Sequence, residues 1–236
     1  MGGRGAGRIV VGLGIPPAIE IEFEALARIA ALRPWEPGFP DTRWRELAQL
    51  CVLLARFEQA GRSHEAAQFA IERVAEAPPT LAGYTSALAD VDVVEDVTVA
   101  APAIAEDHAD LRAIAPLRFG ATFRLSRALG GADADLIAGD LLLDFKASSS
   151  TRIVGRDSLW QLAGYALADL DDQYRVRSVG ISALRWRRRW TIGLDELLER
   201  LAGRRVRVDD LRSDLASVAR DNSGAGSLPG RSRRHR

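Results

Sequence analysis

The chain has 236 residues, 47% of them hydrophobic, and its 32 basic side chains balance its 32 acidic ones. Length and apolar content allow one core-bearing domain with tails, and the charge balance leaves the question of a polyanionic partner to local patterning. The one cysteine, Cys51, excludes a disulfide framework or a Cys/His zinc centre; with no apolar run of membrane-spanning length and no visible secretory leader, a cytoplasmic protein without a membrane partner is expected.

Residues 1–18 are rich in Gly and Pro and read as a flexible N-terminus. Ile19, Phe23, Leu26 and Ile29 predict a helix to Leu32, followed by a loop marked by Pro34, Pro37 and Pro40. Asp41 is placed to cap a helix over 42–60, whose apolar stripe of Trp44, Leu47, Cys51, Leu54 and Phe57 would bury the thiol. Glu58 continues that stripe, and a carboxylate on a buried face needs a partner. Arg62, four residues on, is placed to be that partner. Helical patterns follow over 64–76 and 81–88. The Val-rich stretch 91–101, with interspersed Asp and Glu, fits neither strand nor loop cleanly. Asp107, His108 and Asp110 read as a polar helix start before Leu111 rather than as a metal cluster.

A strand within 118–129 leads to the stretch on which the rest is organised, 130–150. Two short apolar strands flank the turn Ala138–Gly139–Asp140. Asp133 and Asp135 are two positions apart and share a face of the first strand; Asp144 and Lys146 do the same on the second. Gathered carboxylates repel one another unless a cation lies between them. Lys146 is the only lysine of the chain. Arginine serves at every other cationic position, so a compact ammonium is retained where a point charge differs from a planar guanidinium.

After a small polar loop, Asp157 is placed to cap a helix to about Leu170, with Gln161 and Tyr165 one turn apart at the edge of its apolar stripe. An apolar strand over 176–184 would continue through Arg185–Trp190. In that case Arg185, Arg187 and Arg189 share one face and form a ladder for a phosphate backbone, with tryptophans to stack on bases; the alternative is a charge-protected edge strand. Two helices, about 194–201 and 209–220, precede a basic tail at 221–236 that is expected to be disordered.

Asp135, then Asp144–Phe145–Lys146, then Gln161 and Tyr165 resemble the motifs of the PD-(D/E)xK nuclease superfamily in its RecB-like branch: an Asp on one strand, Asp/Glu-x-Lys on the next, and Gln-x-x-x-Tyr on the following helix. The resemblance covers roughly 119–192. It implies an α/β fold, with a mixed central sheet flanked by helices (a restriction-endonuclease-like core) and a helical N-terminal half, drawn as a single domain over 19–220. It implies a nuclease acting on nucleic acid, DNA foremost, with Mg²⁺ or Mn²⁺ held by Asp135 and Asp144 and by Glu58 or Asp133. Lys146 would position water or stabilise phosphate charge, and Gln161 and Tyr165 would orient substrate or ligands. Hard oxygen donors favour those ions over Zn²⁺. A protein partner would supply specificity. The competing expectation is a non-catalytic nucleic-acid-binding or assembly protein on a nuclease-like fold.

Overall fold

The computed structural model describes residues 18–225 apart from 35, 37, 127 and 130–132. The chain divides into two compact units, 1–105 and 106–236, where the sequence was drawn as one domain. Among the described residues no helix is long and apolar enough to cross a membrane.

The first unit is helical: α1 (Ala18–Leu32), a short 3-10 turn at Asp41–Arg43, α2 (Trp44–Arg62), α3 (His64–Val74), α4 (Leu81–Leu88) and α5 (Val91–Asp107), whose last two residues belong to the second unit. The ambiguous Val-rich stretch is therefore α5, with Pro102 inside it. The core of the unit forms where Ile21 and Ala25 of α1 meet Leu50, Leu53 and Phe57 of α2 and Leu88 of α4. Several expectations fail in detail. The buried stripe of α1 runs through Ala18, Ile21 and Ala25, leaving Phe23 62% exposed. On α2 Trp44 and Phe57 are buried as expected, while between them Ala48, Leu50 and Leu53 take the buried positions in place of Cys51. Cys51 consequently faces outward, and Glu58 falls at the edge. Asp41 lies in the 3-10 turn and does not cap α2.

The second unit is α/β. After the short α6 (Ala109–Arg112), β1 (Leu117–Thr122), β2 (Asp133–Ala138) and β3 (Leu141–Lys146) form an antiparallel meander. The β2–β3 turn is tight because Gly139 takes φ +60°, a region that favours glycine, and a Cβ there would meet Ile114 at 3.0 Å. α7 (Arg156–Ala168) then crosses over to β4 (Ser178–Ala183), which pairs parallel to β3, and β5 (Arg188–Gly193) returns antiparallel to β4. The five strands lie in chain order in one mixed sheet. α8 (Leu194–Ala202) and α9 (Val208–Ala225) close the chain. One sheet face carries Ile137, Leu142, Val179 and Ile181, and packs with Leu162, Ala163 and Ala166 of α7 and Leu197 of α8. The other carries Leu136, Leu143 and Phe145, with Leu111 of α6.

Two expectations change here. The strand expected to run on through residue 190 instead ends at Ala183. A 3-10 turn (Leu184–Trp186) and Arg187 at φ +51° reverse the chain into β5. Asp157 sits in the first turn of α7, where its charge suits the helix dipole; Gly155 is the cap. α9 continues to Ala225, into the stretch expected to be disordered; the remainder of that tail, and residues 1–17 of the N-terminus expected to be flexible, lie outside the described residues, while Ala18 opens α1.

A candidate active site at a fork in the sheet

The β2–β3 ladder pairs Ala138 with Leu141, Ile137 with Leu142 and Leu136 with Leu143, then stops. One further step of the same register would set Asp135 opposite Asp144. There the strands part, and the Asp135 carboxylate takes the place of a main-chain acceptor: Oδ2 accepts the Phe145 N–H at 2.7 Å. The fork brings two carboxylates onto the face that α7 covers. Asp135 is exposed at its mouth, while Asp144 is 5% exposed.

Lys146 reaches back along its own strand, placing Nζ 2.7 Å from Asp144 Oδ2. Oδ2 is itself buried, so its charge rests on that ion pair. Burial pushes the Asp144 carboxyl above its ordinary range; Lys146 opposes the shift and the neighbouring Asp135 charge adds to it. Lys146 Nζ also donates to Gln161 Oε1 at 3.0 Å, and Gln161 Nε2 donates to the Tyr165 hydroxyl at 2.6 Å. The Tyr165 ring stacks on Phe123, with centroids 6.2 Å apart and planes at 24°. The i, i+4 spacing on α7 thus yields one connected chain, Asp144–Lys146–Gln161–Tyr165.

The structure joins Asp135, Asp144, Lys146, Gln161 and Tyr165. It does not add the other acids named as metal ligands. Glu58, 45% exposed, belongs to the first unit and pairs with Arg62, one turn away on α2. Asp133 is half-buried at the start of β2, opposite Thr122. Among the described residues no group of three His, Cys, Asp or Glu side chains could hold a metal ion. The buried Oδ2, the two repelling carboxylates and the all-oxygen donor set nevertheless fit one hard divalent cation at Asp135 and Asp144.

The expected arginine ladder is not present. Arg185 lies in the 3-10 turn and donates to Ala147 O at 2.8 Å. Arg187 binds Asp107 at 2.6 Å and Glu106 at 3.3 Å, and Arg189 binds Asp110 at 2.5 Å. Both acids that the sequence placed in a polar helix start therefore neutralise these cations, and His108 between them lies 2.7 Å from Ser182 Oγ. The left-handed turn at Arg187 shifts the alternation that a continuous strand would have kept. Arg188 now opposes Ala183, which opposes Lys146, so these three share one row and one face. Period-two reading of the Arg-Trp run could not find Arg188, because it assumed an unbroken strand.

Comparison with protein-family models, with curated proteins and with solved structures found no match, so fold and site rest on this chain's own residues.

Proposed function

We propose that this chain is a metal-dependent nuclease that hydrolyses phosphodiester bonds of nucleic acid, DNA foremost, with a PD-(D/E)xK-type site on a restriction-endonuclease-like core. The observation that carries the reading is the fork. A ladder that would pair Asp135 with Asp144 opens at that step, leaving a buried carboxylate oxygen 2.7 Å from an ammonium. A fold optimised only for stability would not place a raised-pKa acid, a second acid and the chain's one lysine at one strand end.

Asp135 and Asp144 would hold the cation. When bound, Mg²⁺ or Mn²⁺ supplies charge neutralisation at the phosphate and an activated water. The chain's own residues do the rest. The Phe145 N–H fixes Oδ2 of Asp135, an exposed residue. Lys146, 34% exposed, presents an ammonium that can donate to a water or to a phosphoryl oxygen as charge develops on it. Gln161, itself anchored by Tyr165, holds that ammonium in place.

The test is cleavage of linear and circular, single- and double-stranded DNA with Mg²⁺, Mn²⁺ or EDTA, beside Asp144→Ala and Lys146→Ala. The expected result is metal-dependent cutting that falls at least about a hundredfold in either variant. No cutting by the wild type, with no metal uptake by calorimetry, would sink the reading and leave a non-catalytic nucleic-acid-binding protein ahead.

A further inference from the structure

The sheet ends in an edge that the proposed chemistry does not use up. The parallel strands β3 and β4 finish at Lys146 and Ala183, and β5 begins at Arg188, in line with both. The helix that crosses between parallel strands must start at that same carboxyl edge, so Arg156, the first residue of α7, lies there too. In open α/β sheets this is the edge where ligands bind. Arg156 and Arg188 are exposed, and neither guanidinium has an ion pair or hydrogen bond among the described residues. They differ in this from Arg187 and Arg189, whose charges are met by Asp107 and Asp110.

An aromatic stands one helical turn from Arg156. Trp160 follows Arg156 by one turn of α7 and Gly164 follows Trp160 by another, so the three share a face. Trp160 is 50% exposed although it adjoins Gln161 of the site. Nothing lies within 4 Å of where a Cβ on Gly164 would be, which leaves open space next to the indole. An exposed indole one helical turn from a free guanidinium, with a second guanidinium on the same sheet edge, suits unpaired bases on a phosphate chain; a duplex keeps its bases stacked inside and offers such an indole nothing. The acid of this turn, Asp157, sits beside the stripe at the helix N-terminus.

We infer that the carboxyl edge of the sheet is a track for single-stranded nucleic acid, in which Arg156 and Arg188 contact phosphates and Trp160 stacks on a base next to the scissile position. The inference rests on the nuclease reading for the place of cutting and on its own residues for binding, so the experiment separates the two. The full chain in EDTA is titrated into a labelled 20-mer of deoxythymidine and into a duplex of equal length, followed by fluorescence anisotropy at several salt concentrations. The wild type should prefer the single strand. Trp160→Ala should weaken that binding about tenfold and Trp160→Phe should restore most of it. Arg156→Ala and Arg188→Ala should each weaken it and lower the salt slope by about 0.7. Arg187→Ala should leave affinity unchanged. Circular dichroism melts confirm that each variant is folded. Single-strand binding untouched by Trp160→Ala, equal affinity for duplex, or an Arg187→Ala loss matching that of Arg188→Ala would each overturn the track, even if cleavage were observed. Binding as expected without cleavage in Mg²⁺ would leave the track standing and remove the nuclease reading.

Discussion

Asp144 concentrates the chemistry of the site in one side chain. It is buried, its Oδ2 lies 2.7 Å from the Lys146 ammonium, and burial raises its pKa against the pull of that cation. For a carboxyl whose folded pKa lies above its unfolded value, the folded state is favoured at low pH, and that advantage is lost as pH rises through the folded pKa. At neutral pH, Asp144 therefore weakens the fold that carries it. Asp144→Asn keeps the shape and removes the charge. It should raise stability in EDTA by about 1 kcal/mol, seen as a higher Tm at pH 7 and no difference near pH 3. Wild type and variant melting together at both pH values would show that the acid is stabilised by contacts other than those described.

At the scale of elements, the site depends on how closely three strands approach. Gly180 on β4 pairs with Leu143 on β3 and with Thr191 on β5. A Cβ at this position would lie 2.5 Å from Trp190 O, 2.8 Å from Thr191 Cγ2 and 2.9 Å from Leu143 Cδ2. Backbone cannot yield as a flexible side-chain tip can, so β5 would have to move away from β4. Gly180→Ala should cost about 2 kcal/mol or more and lower Tm by several degrees. Because Arg188 is held in line with Lys146 only through β4, the same change should also weaken single-strand binding. An unchanged Tm would mean that the strands sit farther apart than these distances state.

At the scale of the whole chain, each unit carries its own core, around Leu53, Phe57 and Leu88 in the first and around Ile137, Leu142, Val179 and Ile181 in the second. The second unit is tied together by a polar pin. Asp172, after α7, accepts from Arg177 ahead of β4 at 3.0 and 2.6 Å and from Arg212 of α9 at 2.9 Å. The Arg177 guanidinium, followed by that of Arg212, holds the Asp172 carboxyl at about 2. A depressed carboxyl pKa stabilises the fold above its unfolded value of 3.8, and this contribution is lost as pH falls toward about 2. Asp172 has φ +49°, which asparagine tolerates, so Asp172→Asn tests the charge alone. The variant should melt lower than wild type at pH 6, and the gap should close progressively between pH 4 and pH 2. A gap that persists at pH 2 would assign the effect to the lost acceptor oxygen, since Asp172 accepts through both Oδ1 and Oδ2.

Local chemistry was enough to place the hairpin, the motif residues on it and the helix bearing Gln161 and Tyr165, because strand parity, turn residues and i, i+4 spacing act over a few residues and survive any packing. The sequence also marked out the lone lysine, which composition reveals without a structure. Tertiary structure decided the rest. The rotation of α2 that turns Cys51 outward and leaves Glu58 to Arg62 depends on which neighbours the helix meets. The pairing of Arg187 with Asp107 and of Arg189 with Asp110 joins residues about eighty positions apart, and no local pattern encodes it. A single left-handed residue, Arg187, ends one strand and starts the next, and so determines which arginines stand free at the edge of the sheet. Faces within one element are set by its own periodicity; which charges remain unneutralised is set by elements distant in the chain, since a charge is cancelled by whatever the fold brings to it.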